Sequence, residues 1–257
     1  MTTGRAIAGR EVSRQLRSPT SWLIVGLFAV LCGAAFVTTL NAFLDQASEA
    51  LLVPPSQPIN VNQILIRPFL LRTGLAALLV LPLVTARTAG GDRRREPGAV
   101  LAGFAGALAV YVLMLLASMV PVGALFVFGS PEWGPIVSGY LGLLLTGAAF
   151  MAIGLFISSL AEAAVPAGIA TFAVSLMLLA ATWLARSGAP AAQPVFRYFS
   201  VGDVLDDFAR GIIDSRTVVS CLTIVAVGLF LTYGPPEGGP YVRGVRLQPD
   251  QRGNPLN

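Results

Sequence analysis

The sequence predicts an all-α polytopic membrane protein, with six transmembrane helices, an N-terminal interfacial helix and an amphipathic outer helix before the last span. Three observations carry this. Hydrophobic residues make up 55% of the 257 residues and charged residues only 12%, about half the charged share of a soluble domain. The mean hydropathy is +0.75. The apolar residues gather into runs of the roughly 20 residues that a helix needs to cross a hydrocarbon core about 30 Å thick. Disorder is excluded, because it requires low hydrophobicity and high charge.

The runs lie at about residues 21–40, 68–86, 99–122, 136–160, 165–184 and 217–233. They define one transmembrane domain over residues 1–233, followed by a tail over 234–257. Arginine placement orients them. Arg5, Arg10, Arg14 and Arg17 precede the first span against one acid, Glu11. Arg87, Arg93, Arg94 and Arg95 follow the second, and Arg243, Arg246 and Arg252 follow the sixth. The loop after the first span holds Asp45 and Glu49, and the loop after the third holds Glu132. Excess arginine marks the cytoplasmic side, so both termini are expected there, in a multi-pass protein of the cell (inner) membrane. The first run is too long for a secretory leader and lacks a small-x-small cleavage site after it, so it reads as a retained anchor.

Composition excludes several chemistries. The chain has no His, and all 17 basic residues are Arg. Without Lys it cannot carry a P-loop, nor form a lysine Schiff base. Without His it has no Ser-His-Asp or Cys-His arrangement and no imidazole metal site. Cys32 and Cys221 lie in apolar runs with no CxxC partner and read as small hydrophobes in packed helices. No catalytic residue, cofactor or metal is expected in this chain. The charge of +4 reports topology, so no nucleic-acid partner is expected.

Between the spans, Gly4 to Arg17 reads as a helix lying on membrane lipid. Ala8, Val12 and Leu16 recur at helical spacing, while Arg10, Arg14 and Arg17 share another face. A frayed basic tail is the alternative. Ser18-Pro19 ends this helix and can start the first span, with Ser as cap and Pro at the first helical position. Asn41 to Gln63 holds Pro54, Pro55 and Pro58, and reads as an extended strap. Arg67 sits at the outer end of span two and can snorkel. Arg72 lies deeper, where a charge is costly. It is either a pathway residue or an arginine paired with an outer aspartate.

Val201, Val204, Leu205, Phe208 and Ile212 recur at helical spacing. Ser200 and Asp203 match a capping box, and Asp206 and Asp207 can each pair with Arg210. This predicts the amphipathic outer helix, with Asp206, Asp207, Phe208, Arg210 and Asp214 as its marked residues. Its acids share a solvated face with an arginine, which suits a salt-bridged surface better than a cation site. Gly234 to Asn257 contains five Gly and five Pro and reads as a disordered tail. Ala99, Gly103 and Ala107, and Gly139, Gly142, Gly147 and Gly154, permit close helix approach, by default within the subunit.

Four stretches, taken in order, resemble the ABC-2 type transporter permeases, most nearly the gliding-motility-associated group. They are IAGREVSRQLRSPTSWLIVGLF at the start, NVNQILIRPFL entering span two, PEWGPIVSGYLGLLLTGAAFMAIGLFISSLAE over span four, and DDFARGIIDSR before span six. The resemblance covers most of residues 5 to 232 and rests on order and spacing. It implies a dimer of permease subunits, alike or different, working with separate P-loop ATPase subunits that bind the ATP, in export or a related rearrangement. It implies ATPase contact through the N-terminal helix and the loop after span two. Here those residues are Arg10, Glu11, Arg14, Arg87, Asp92, Arg93, Arg94 and Glu96. The absence of Lys agrees independently with an ATPase in another chain.

The chain departs from that family in two places. The family's loop continues into an amphipathic helix before span three, whereas here Arg93 to Gly98 runs almost directly into it. The Gly/Pro tail replaces a short basic end. Other readings are a non-transporting scaffold or uncoupled relative, and a stand-alone carrier. The carrier would need ionisable groups in the membrane, for which Arg72 is the clear candidate. An intramembrane enzyme would need a catalytic constellation, and no Asp or Glu lies centrally in a span.

Overall fold

A computed structural model describes residues 2–52, 60–87, 97–128, 131–161, 163–187 and 201–232. Among them there are eight α-helices and no strand. They are α1 (Thr2–Arg17), α2 (Pro19–Leu52), α3 (Arg67–Ala86), α4 (Pro97–Phe128), α5 (Trp133–Leu160), α6 (Ala164–Ser187), α7 (Val201–Ala209) and α8 (Ser215–Thr232). Six of them, α2 to α6 and α8, are long and apolar enough to cross a membrane. The chain is thus an all-α multi-pass membrane protein, with the spans in the order expected.

The span ends differ from the sequence reading in instructive ways. The first span continues as helix to Leu52, so most of the expected strap is helical. The stretch Ala42–Leu52 contains Leu, Gln, Ala and Glu, all good helix formers, and the prolines begin only at Pro54. At 34 residues and 1.5 Å per residue, α2 is about 51 Å long, well beyond a core of about 30 Å. The Val53–Pro58 stretch lies outside the described residues. Span two starts earlier than expected, through a π-helical turn over Asn62–Ile66. Pro68 has no N–H and its ring crowds the carbonyl four residues back, so a wider turn upstream is its natural accommodation. The third span runs to Phe128 rather than 122, because the apolar sequence does not stop. The others match within three residues. The Gly234–Asn257 tail lies outside the described residues.

The core forms around α3. Its span is 61% buried within the protein, against 11% for α8. Helices α2, α4, α5, α6 and α7 all touch α3. Phe28, Phe69, Leu81, Met114 and Met151 are among the fully buried side chains. Tyr111 is buried against Gly147, and its hydroxyl donates to the Leu143 carbonyl at 2.7 Å. That bond ties α4 to α5 and satisfies a polar group that would be costly to leave unpaired in an apolar interior. Gly142, Gly147 and Gly154 thus serve contacts within the subunit, while a Cβ at Gly103 would meet nothing within 4 Å among the described residues. Both cysteines are buried free thiols.

Up-and-down threading puts two sets of helix ends at opposite faces of the bundle. At the amino-terminal end lie α1 and the adjoining ends of α2, α3, α4 and α6. At the opposite end lie the π turn, α7 and the starts of α5 and α8.

Candidate functional site

At the amino-terminal end, the chain builds a junction of three helices. Helix α1 ends at Arg17 and α2 starts at Pro19, so the Ser-Pro break acts as expected. Ser18 joins the two helices. Its carbonyl accepts from the Ser21 N–H at 3.0 Å, and its hydroxyl lies 2.7 Å from that of Thr20. Arg87, one residue beyond α3, donates to the Ser18 hydroxyl at 2.7 Å and the Ser21 hydroxyl at 3.0 Å. Ser21 in turn donates to the Gln15 carbonyl at 2.6 Å. A single guanidinium thereby joins the end of α1, the start of α2 and the end of α3.

Helix α1 is seated on α4. A Cβ at Gly106 would come within 2.7 Å of the Gln15 side-chain amide, so the glycine lets that amide lie close against α4. Leu16 packs against the hydrophobic core. The helix therefore rests on protein, which the amphipathic pattern alone could not say. Its basic face stays outside. Arg10, Arg14 and Arg17 are exposed, and Arg14 is bonded to Glu11 at 2.6 Å. Of the residues named for ATPase contact, Arg10, Glu11, Arg14 and Arg87 share this end. Asp92, Arg93, Arg94 and Glu96 lie outside the described residues.

At the opposite end, α7 forms a cap. Leu205 and Phe208 are buried because α3 and α5 make a seat of glycines for them. Leu205 lies against Gly74, and a Cβ at Gly142 would come within 2.6 Å of the Phe208 Cβ. Ser138 of α5 has its hydroxyl 2.8 Å from both the Phe208 and Gly134 carbonyls, and its one proton serves one of them at a time.

An ion pair locks the cap. Arg67 donates from Nε to Asp206 Oδ1 at 2.5 Å and from Nη2 to Oδ2 at 2.7 Å. This bidentate fork fixes direction as well as distance. Arg210 adds a bond to Oδ2 at 2.6 Å. Burial alone would push the Asp206 carboxyl up, but hydrogen bonds and charge from Arg67 and then Arg210 outweigh it and hold the carboxyl below its ordinary value. Gln63, Arg67, Leu71, Asp203 and Asp206 line a cavity of about 340 Å³ beside the pair.

The sequence reading needs correction here. Arg67 does not merely snorkel; it holds the cap. The Arg210 partner is Asp206, while Asp207 contributes its carbonyl to the helix end. The helix stops at Ala209, short of Ile212 and Asp214. Gly211 takes φ +87°, the Gly211 N–H bonds the Phe208 carbonyl, and the Ile212 N–H bonds the Asp207 carbonyl. That pattern is a Schellman stop, which needs the left-handed residue that glycine supplies. Ile212 is left 54% exposed. Asp214 instead accepts from the Arg216 N–H at 2.9 Å and opens α8. Ser200 lies outside the described residues.

Among the described residues, Arg72 pairs with no aspartate. Its Nη1 donates to the Thr38 hydroxyl of α2 at 2.7 Å, and the Thr38 hydroxyl donates to the Ala35 carbonyl. Thr38 lies 17 residues beyond Ser21, about 26 Å along a core of about 30 Å. At that depth a guanidinium reaches the interface, and its cost falls well below that at mid-membrane.

Among the described residues, no three of His, Cys, Asp and Glu gather into a group that could hold a metal. The junction and the cap bind and brace helices. The fold and these two sites place the chain in the class of helical multi-pass membrane proteins. No family model matches it, and no curated protein does.

Proposed function

We propose that this chain is the membrane-spanning permease subunit of an ATP-driven ABC exporter, working as a dimer with separate P-loop ATPase subunits. The observation that carries the proposal is the junction. Helix α1 presents an exposed basic face, is seated on α4 at Gly106, and is tied through Ser21 and Arg87 to α2 and α3. A soluble partner that pushes on α1 moves three spans at once. An ATP-driven permease without its own nucleotide site needs such a lever. The order of family-like stretches in the sequence supports the same reading. So does the absence of Lys, which leaves the P-loop to a partner. On this reading the junction faces the cytoplasm of the cell (inner) membrane and the α7 cap faces outward, as the arginine distribution requires.

A second reading has one observation in its favour. Only the nine residues 88–96 separate Arg87 from Pro97, too few for a long coupling helix after the second span. A scaffold or uncoupled relative would keep the fold and lose the ATPase. Gentle purification of the tagged full chain from its native membrane separates the two. The permease reading expects a P-loop ATPase in fixed proportion, and expects Arg10→Ala with Arg14→Ala to release it. A folded, abundant chain with no ATPase would overturn the reading in favour of the scaffold.

A further inference from the structure

Beside the junction, α2 and α6 flank α3 and leave a groove of about 600 Å³ between them. Its walls include Leu23 and Ile24 from α2, Leu83 from α3, and Ile169 and Phe172 from α6. Most of these are exposed within the protein, at a level where the surroundings are hydrocarbon. Its floor is the close approach of α6 to α3, where a Cβ at Gly168 would come within 3.1 Å of the Ala86 Cβ. At its mouth stand Thr20 and Arg87.

We propose that this groove is a binding site for one anionic phospholipid, with the upper part of an acyl chain along the walls and the phosphate at Arg87. The dimensions suit this occupant. Val165 to Phe172 of α6 run along the groove, eight residues spanning about 10 Å of helix, which covers the headgroup-proximal part of one chain. The chemistry suits it too. Arg87 spends one N–H of Nη1 on Ser21 and one of Nη2 on Ser18, which orients the guanidinium and leaves its other N–H groups for a ligand. A guanidinium held in place matches a phosphate better than any other side chain does. Among the described residues, none that lines the groove is acidic, and anionic lipids enrich the leaflet that positive segments face. The groove also borders the junction, so an occupant braces α6 against α2 and α3, two of the helices that Arg87 joins. This proposal stands apart from the transport reading, because it requires no ATPase.

Native mass spectrometry of the detergent-purified full chain, offered phosphatidylglycerol or phosphatidylcholine vesicles, tests it. The expected result is one retained phosphatidylglycerol per chain and about tenfold weaker retention of phosphatidylcholine, whose choline cation offsets the phosphate charge that Arg87 meets. Arg87→Gln should abolish the preference while weaker retention of both lipids remains. Ile169→Trp, which fills the groove without touching the junction, should displace both lipids with the melting temperature unchanged. Equal retention of the two lipids by the wild-type chain, or full retention by Ile169→Trp, would mean that the groove is ordinary lipid-facing surface. If Arg87→Gln fails to fold, the Ile169→Trp result alone decides.

Discussion

The two ends of the bundle are closed by different physics. At the cap, α7 is held by buried apolar side chains and by a carboxylate gripped by two arginines. Asp206 keeps only 13% of its side-chain surface, and Arg67 keeps 32%. At the junction, α1 is held by neutral hydroxyls around one arginine and by a glutamine over a glycine. At the cap, Arg67, Asp206 and Arg210 spend their charge on one another. Charge on α1 is left outward, with Arg10 and Arg17 in no ion pair among the described residues. A surface that neutralises itself seals an end of the bundle. A surface that keeps its charge exposed is free to meet something else. The contrast is why the junction, rather than the cap, is the candidate for partner binding.

The sharpest way to break the comparison is to empty the cap's seat. Phe208→Ala should lower the stability of α7 by about 3 kcal/mol or more, as large-to-small changes at buried aromatic sites do. Hydrogen exchange over residues 201–209 would show it, with α1 unaffected. Exchange that rises equally at both ends would mean that the two regions are one cooperative unit.

A smaller effect comes from the ion pair. Asp206→Asn leaves Arg67 half-buried without its counter-charge and should cost about 2 kcal/mol. Acidification should mimic it. The folded carboxyl titrates below its ordinary value, so its contribution is complete above about pH 4 and is lost as the pH falls through the lowered value. The melting-temperature gap between the wild type and Asp206→Asn, measured in detergent, should therefore hold from about pH 7 to 5 and close in stronger acid. A gap that persists undiminished into strong acid would place the stabilisation elsewhere.

The smallest effect belongs to the junction. Arg87 is exposed, and water can replace part of what it gives to Ser18 and Ser21. Arg87→Ala should cost only about 1 kcal/mol, read as faster exchange confined to α1 and the first turn of α2. A global loss of stability in that variant would make the junction a part of the core.

Much of the fold was legible in the sequence, for a local reason. Whether 20 residues partition into hydrocarbon depends on those residues alone, so all six spans were visible. The Ser18-Pro19 break was visible because proline acts on its own backbone. Leu205 and Phe208 were correctly placed on one face by periodicity. The Schellman stop at Gly211 had a signal too, an Arg-Gly pair after the last buried residue, but the apolar spacing of Ile212 outweighed it. The partners were not legible. Arg67 and Asp206 are 139 residues apart, and nothing near Arg67 distinguishes a lock from a snorkelling charge. Ser21 read only as the first residue of a span.

What the sequence determined by itself was the class of solvent each segment prefers, the helical state that follows when backbone groups must be satisfied inside a bilayer, and the arginine asymmetry between the loops. Which side chains meet was decided only by the tertiary structure. Arg72 found Thr38 rather than an aspartate, Gln15 found the notch at Gly106, and Phe208 found Gly142. Each of these depends on the rotation and depth of one helix against another. Those are fixed by packing over the whole bundle and written in no single stretch of chain.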